Sequence, residues 1–264
     1  MKFALINNQK TLPCKGAIGT CPNCGSIVIA KCGDIKIDHW AHKSLRKCDQ
    51  WWENETAWHR KWKGHFETDW QEYIFKDEVT GEKHIADVRS EHGLVVEFQH
   101  SFINAAERNS REAFYKKMIW VVDGTRLKRD FERFYKSMQD FRTTQTKGVY
   151  WVNDPEESFP NNWLNSKVPV IFDFKGTEEI NDPKDIRHYL FYLFPKETYG
   201  RYLVVFVERD FIINGIKTDE FFKSKKEPAK VEQPALVTKP NEVRKESQYY
   251  YDIRKGKHVK RTRW

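Results

Sequence analysis

The chain has 264 residues, a formal charge of +8, and 39% hydrophobic and 15% aromatic residues. That length allows one large domain or two ordinary ones, and so many Trp, Tyr and Phe exclude a wholly disordered chain. No apolar run approaches the roughly 20 residues of a membrane-spanning helix, and residues 3–6 are too short for a signal-peptide core, so the expectation is a soluble, cytoplasmic protein with no membrane partner.

Residues 3–8 read as a strand, followed by an irregular Gly- and Cys-containing segment over 13–24. Residues 26–31 and 35–37 read as a hairpin about Cys32-Gly33-Asp34. From 49 to 66 the pattern turns helical: Trp51, Trp58, Trp62 and Phe66 form one apolar stripe, with Glu55, His59 and Lys63 at steps of four beside it. Strands are predicted at 73–75, 85–88 and 94–98, a helix capped by Asn104 to about 117, and a buried strand at 118–122. A further helix spans 126–142, with short strands at 149–152, 168–174, 188–194 and 202–208. The domains expected are a lobe over 1–48, a core over 49–125, a helix and β-rich region over 126–221, and a basic tail over 222–264.

The tail holds 13 Lys/Arg against 5 Asp/Glu, whereas residues 1–221 contain 33 of each. Its prolines and charge predict a largely unstructured segment whose anionic partner is nucleic acid, with a partner protein as the alternative.

All five cysteines (Cys14, Cys21, Cys24, Cys32, Cys48) precede residue 49. An odd number without a secretion signal argues for thiolates serving a metal rather than disulfides. Cys21-Pro-Asn-Cys24-Gly25 puts two thiolates on one turn, and His39-Trp-Ala-His42 adds two imidazoles, a set suited to structural Zn²⁺. Cys48 is an alternative to His42; Cys14 and Cys32 read as ordinary small residues.

The strongest chemical signal is Asp87 on one strand and Glu97-Phe98-Gln99 on the next. Period two puts Glu97 and Gln99 on one face, and a hairpin sets Asp87 beside Glu97. Charges within apolar strands are costly without a purpose. Two carboxylates there suit Mg²⁺ or Mn²⁺, with Glu55 as a third metal-binding carboxylate, Gln99 orienting water or a phosphate oxygen, and His59 and Lys63 close by.

These elements resemble the competence-protein CoiA family and, more broadly, the PD-(D/E)XK nuclease superfamily. The matching residues are Cys21 to Gly25, His39 to His42, Glu55-Thr-Ala-Trp-His59 with Lys63, Ala86-Asp87-Val88, Glu97-Phe-Gln99-His-Ser101, Glu107-Arg108, Tyr115 and Ile119 to Val122. The resemblance implies an α/β, restriction-endonuclease-like core of helix, three strands, helix and strand. A zinc-finger-like N-terminal lobe and a β-rich C-terminal extension would flank it. It further implies a DNA-handling nuclease, with RNA as the other substrate, acting in DNA uptake and recombination or in defence against phage. Its active-site set would be Glu55, Asp87, Glu97 and Gln99, with His59 and Lys63 assisting and Arg108 and Arg111 on phosphate. Gln99 stands where the superfamily usually has lysine, which shifts the burden to metal, His59, Lys63 and Arg108. It also keeps open an inactive nucleic-acid-binding module or a recruiting scaffold. Lys255, Lys257, Lys260, Arg261 and Arg263 are the tail's expected nucleic-acid contacts.

Overall fold

The computed structural model describes residues 1–44 and 48–218, together with the backbone strands at 249–252 and 257–260. Strands β1 (Ala4–Ile6), β2 (Gln9–Thr11), β3 (Ile18–Thr20), β4 (Ile27–Lys31) and β5 (His39–His42) form an antiparallel sheet in the order β2-β1-β3-β4-β5. Its inner face buries Met1, Ala4, Cys21, Val28 and Trp40. The return strand of the hairpin is β5 rather than 35–37, and Ile35 is 97% exposed. Trp40 supplies the buried side chain that anchors this strand.

The helix expected over 49–66 is much shorter. Helix α1 (Ala57–Lys63) starts at a capping box: the Thr56 hydroxyl accepts from the His59 backbone N–H, and His59 Nδ1 accepts from the Thr56 backbone N–H. Glu55 therefore precedes the helix instead of sharing a helical face with His59 and Lys63. Trp51 leaves the stripe and stacks on His84, with ring centroids 3.2 Å apart. Trp58, Trp62 and Phe66 keep it and pack around Phe98.

After α1 come β6 (Gln71–Lys76), β7 (Lys83–Arg89), β8 (Val95–Gln99), α2 (Ala105–Tyr115) and β9 (Met118–Asp123). β6, β7 and β8 are an antiparallel meander, and α2 crosses over so that β9 runs parallel to β8. Asn104 caps α2, its Oδ1 accepting from Glu107 N at 2.9 Å. Then follow α3 (Lys128–Ser137), β10 (Arg142–Thr143), β11 (Val149–Val152), α4 (Asn161–Leu164), β12 (Val170–Asp173), β13 (Tyr189–Leu193), α5 (Lys196–Tyr199), β14 (Tyr202–Glu208) and α6 (Arg209–Thr218). The C-terminal strands extend the same sheet, giving the order β10-β11-β14-β13-β12-β9-β8-β7-β6.

Central β9 is buried on both faces, as a parallel strand between helical layers must be. Met118, Trp120 and Val122 join Tyr115 of α2 and Phe134 of α3 on one face. Ile119 and Val121 join Trp58 and Trp62 of α1 and Ile212, Ile213 and Ile216 of α6 on the other. Asp173, at the end of β12, accepts from the indole N–H groups of Trp58 (2.9 Å) and Trp62 (3.0 Å) and pairs with Arg209 (2.8 Å).

The segment 224–264 is a separate unit in which β15 (Tyr249–Asp252) pairs antiparallel with β16 (Lys257–Lys260). This hairpin lies within the tail expected to be largely unstructured, the rest of which falls outside the described residues; aromatic and β-branched residues favour extended backbone. Lys257 and Lys260 lie on β16, while Lys255, Arg261 and Arg263 fall outside the described residues. Among the described residues, no helix is long and apolar enough to cross a membrane.

Candidate metal centre and carboxylate site

In the N-terminal lobe, one ligand atom each from Cys21, Cys24, His42 and Cys48 gathers within 4.8 Å of the others. Cys21 Sγ lies 3.7 Å from Cys48 Sγ, and Cys24 Sγ lies 3.3 Å from His42 Nε2. Metal–sulfur bonds of about 2.3 Å and metal–nitrogen bonds of about 2.0 Å give tetrahedron edges of roughly 3.5–3.8 Å, so the four can hold a metal such as zinc. The ligand set differs from the sequence expectation: Cys48 replaces His39, not His42. Residues 39 and 42 are an odd number of positions apart on an extended strand and point to opposite faces. His42 shares the inner face with Trp40, whereas His39 turns away and its Nδ1 bonds Ile37 O at 2.9 Å. Burial raises the Cys24 thiol, but hydrogen bonds from Ser26 and His42 outweigh it and bring it down to about 6. Burial and Cys21 push Cys48 up to about 12. A bound cation would favour the thiolate at each.

The lobe is fastened to the core at several points, two of them through carboxylates. Asp49, next to Cys48, accepts from Ile85 N at 2.7 Å and bonds His84 Nδ1 at 2.9 Å. Glu72 accepts from Lys2 N at 2.6 Å and Phe3 N at 3.0 Å. Glu72 takes a left-handed backbone with φ 46°, rare for a residue with a Cβ, and interrupts the ladder between the Gln71–Val88 and Tyr73–Ala86 pairs.

Opposite that interruption stands Asp87, where β7 also parts from β8. The ladder bonds at Val88–Val96 and Arg89–Val95 give way to side chains: Asp87 N donates to Glu97 Oε1 (3.1 Å), and Phe98 N donates to Asp87 Oδ2 (2.9 Å). Glu97 Oε2 receives Arg111 Nη1 at 3.0 Å. Burial, then Asp87, pushes Glu97 up to about 8 despite Arg111. Lys63 Nζ lies 2.7 Å from Asp87, 3.2 Å from Glu55 and 3.8 Å from Glu72. Burial lowers the pKa of this ammonium, but Asp87, then Glu55 and Glu72, outweigh it and raise the pKa overall. Gln99 donates through Nε2 to Glu53 Oε2 (3.0 Å) and Ser101 O (3.1 Å), while its buried Oε1 has no partner among the described residues.

Several expected roles change. Glu55, expected as a metal carboxylate, is held by Arg60 at 2.6 Å and by Lys63, which overcome its burial and bring it to about 2. Glu55, Asp87 and Glu97 do not gather as a three-ligand group; among the described residues the Cys/His cluster alone does. His59 is 2% exposed with both ring nitrogens engaged: Nδ1 at the cap, Nε2 with Glu53 Oε1 and Phe98 O, each at 2.9 Å. Lys63 is buried on carboxylates, so neither it nor His59 is presented to phosphate. Arg108 is 1% exposed and donates to Asn162 O (2.8 Å) and Asn165 O (2.9 Å), bracing α4 and its C-terminal end. Arg111 is equally inward, tied to Glu97, Glu107 and Trp51 O. Glu53, absent from the sequence reading, collects His59, Gln99 and Ser101 and is held at about 2: burial opposes this, and the His59 contact leads the groups that outweigh it.

The titrations have opposite signs. Glu97 keeps its proton in the fold up to about 8 but loses it near 4.5 when unfolded, so its contribution to stability declines as pH rises between those values. Glu53 and Glu55, near 2 in the fold, contribute stability above 4.5 that is lost as pH falls toward 2. Compared with Glu97→Gln, the wild-type melting temperature should therefore fall from pH 5 to pH 8; parallel curves would contradict it.

An N-terminal Cys₃His cluster docked on the edge of a mixed α/β sheet defines the class. Residues 19–50, which contain all four ligands, match the family model of the competence protein CoiA N-terminal domain, and this match supports a CoiA-like family for the chain. No curated protein and no solved structure matches it.

Proposed function

We propose that the chain is a metal-dependent nuclease hydrolysing phosphodiester bonds, in DNA before RNA, with a PD-(D/E)XK-type core and one structural zinc in its N-terminal lobe. The observation carrying this reading is the meeting of Asp87 and Glu97 where β7 and β8 part, with a raised Glu97 pKa that a cation would lower. Mg²⁺ or Mn²⁺ bound there would polarise the scissile phosphate and acidify water. Lys63 orients Asp87, and Arg111 orients Glu97. Gln99 has spent its donor on Glu53, so Oε1 is free to accept from water rather than to hold a phosphate oxygen. The CoiA match supports a setting in DNA uptake and recombination, with phage defence as the alternative; the place of action in this reading is the cytoplasm.

Labelled single- and double-stranded DNA and RNA, incubated with Mg²⁺ or Mn²⁺, test the reading. Wild type should cleave only with metal and Asp87→Ala should not, although Lys63 keeps Glu55 and Glu72 and the fold survives. Full activity in Asp87→Ala would refute the assignment. A second reading, a non-catalytic nucleic-acid-binding module, is favoured by the Lys63 ammonium, which already neutralises carboxylates at this place; binding without cleavage would select it.

Deleting residues 224–264 should weaken binding and flatten its salt dependence by roughly 0.7–0.9 units for each phosphate that the tail no longer neutralises. An unchanged salt slope would assign the tail to a protein partner.

A further inference from the structure

We propose that His100, oriented by Asp123, is the general base that takes a proton from the attacking water, an inference that rests on the nuclease reading above. His100 follows Gln99 at the end of β8, and its Nδ1 bonds Asp123 Oδ2 at 2.8 Å. Asp123 ends the neighbouring parallel strand β9 and is 5% exposed. Its Oδ1 is occupied by Thr125 N (2.9 Å) and Thr125 Oγ1 (2.6 Å), so the carboxylate is fixed and acts only as an acceptor. Nδ1 therefore carries the hydrogen and Nε2 the lone pair. Among the described residues Nε2 has no protein partner, and the half-buried His100 lines a shallow cleft with Ser101, Asp123, Arg126 and Asp130.

That cleft opens at the carboxyl ends of β8, β9 and β12, where open sheets bind their ligands. Exposed Arg126 adds a cation to its lining, which does not itself include Asp87, Glu97 or Gln99. The His100 backbone N–H donates to Glu53 Oε1 at 3.3 Å, tying it to the carboxylate that also holds Gln99. His59, with its ring 6.1 Å away, has no nitrogen to offer.

In the step, a water O–H bond breaks and the proton passes to His100 Nε2. The oxygen forms a bond to phosphorus, the bond from phosphorus to the leaving oxygen breaks, and that oxygen takes a proton from bulk water. The imidazolium, stabilised by Asp123, then returns its proton to solvent. The charged groups facing His100 are Asp123 of β9, Glu53 before α1, and Arg126 and Asp130 beyond β9.

The test uses the full chain with labelled DNA and Mg²⁺ or Mn²⁺ from pH 5 to 9. His100→Ala should melt like wild type but cleave about 10²–10⁴-fold more slowly. It should lose the acidic limb of the pH–rate profile and regain part of its rate with added imidazole. Asp123→Asn, a positioning variant, should displace that limb. A wild-type rate in His100→Ala, or a slower rate with an unaltered profile and no imidazole rescue, overturns the role of His100. The nuclease reading would still stand if Asp87→Ala is dead. Absence of metal-dependent cleavage in wild type overturns both.

Discussion

Cys48→Ser should strip the protein of bound zinc and unfold its N-terminal lobe, while His39→Ala keeps about one zinc per chain. The four ligand atoms of Cys21, Cys24, His42 and Cys48 fit one tetrahedral ion, and His39 is on the opposite face of its strand. The lobe's inner core is small, so the metal carries much of its stability; structural zinc contributes about 10–16 kcal/mol of apparent binding energy in isolated finger peptides. Metal analysis after gentle purification, with hydrogen exchange over residues 1–44, reads both effects. Zinc retained by Cys48→Ser and lost by His39→Ala would restore the two-histidine set.

Lys63→Met should be among the most destabilising single changes in the core. Methionine fills the volume of the lysine stem but leaves Asp87, Glu55 and Glu72 facing one another without their shared cation. Removing one partner from a buried ionic group costs about 3–5 kcal/mol. At about 2–4 °C per kcal/mol for a unit of this size, the melting temperature should fall on the order of 10 °C. The deficit should shrink at acid pH, as the abandoned carboxylates protonate. A difference under about 1 °C at neutral pH would show that Lys63 does not neutralise the cluster.

Much of this arrangement was legible in the sequence. Strands whose inner faces need apolar side chains carry a clear pattern, so β9 and β14 sit where it places them, and Asp87, Glu97 and Gln99 stand out as polar residues within such strands. The same rule, applied to 39–42, would have separated His39 from His42; reading His-x-x-His as a ligand pair assumes a helix. The start of α1 was signalled by Thr56, but a stripe of tryptophans spaced for a helix masked it. Arg108 and Arg111 look like any surface arginines, because burial against the carbonyls of α4 and a strand carboxylate depends on contacts from distant segments. Glu53 lies on extended chain whose role appears only when His59 and Gln99 fold around it. Helix α6 left a readable trace in Ile212, Ile213 and Ile216, yet three isoleucines beside a charged tail are a weak signal.

The Asp173 carboxylate joins residues that are far apart in the chain: Trp58 and Trp62 on one side and Arg209 on the other. The contacts of α1, which brings in Lys63, are complete only when β12 and the start of α6 are in place. Such long-range closure is slow compared with local folding. During synthesis, the Asp173 contacts that complete the seat of α1 therefore form only after Arg209 has left the ribosome, although Asp87, Glu97 and Gln99 emerge much earlier. A fragment ending near residue 125 would leave the indole N–H groups of Trp58 and Trp62 without Asp173 and remove Ile171, Leu190, Ile212, Ile213 and Ile216 from the apolar cluster that α1 joins.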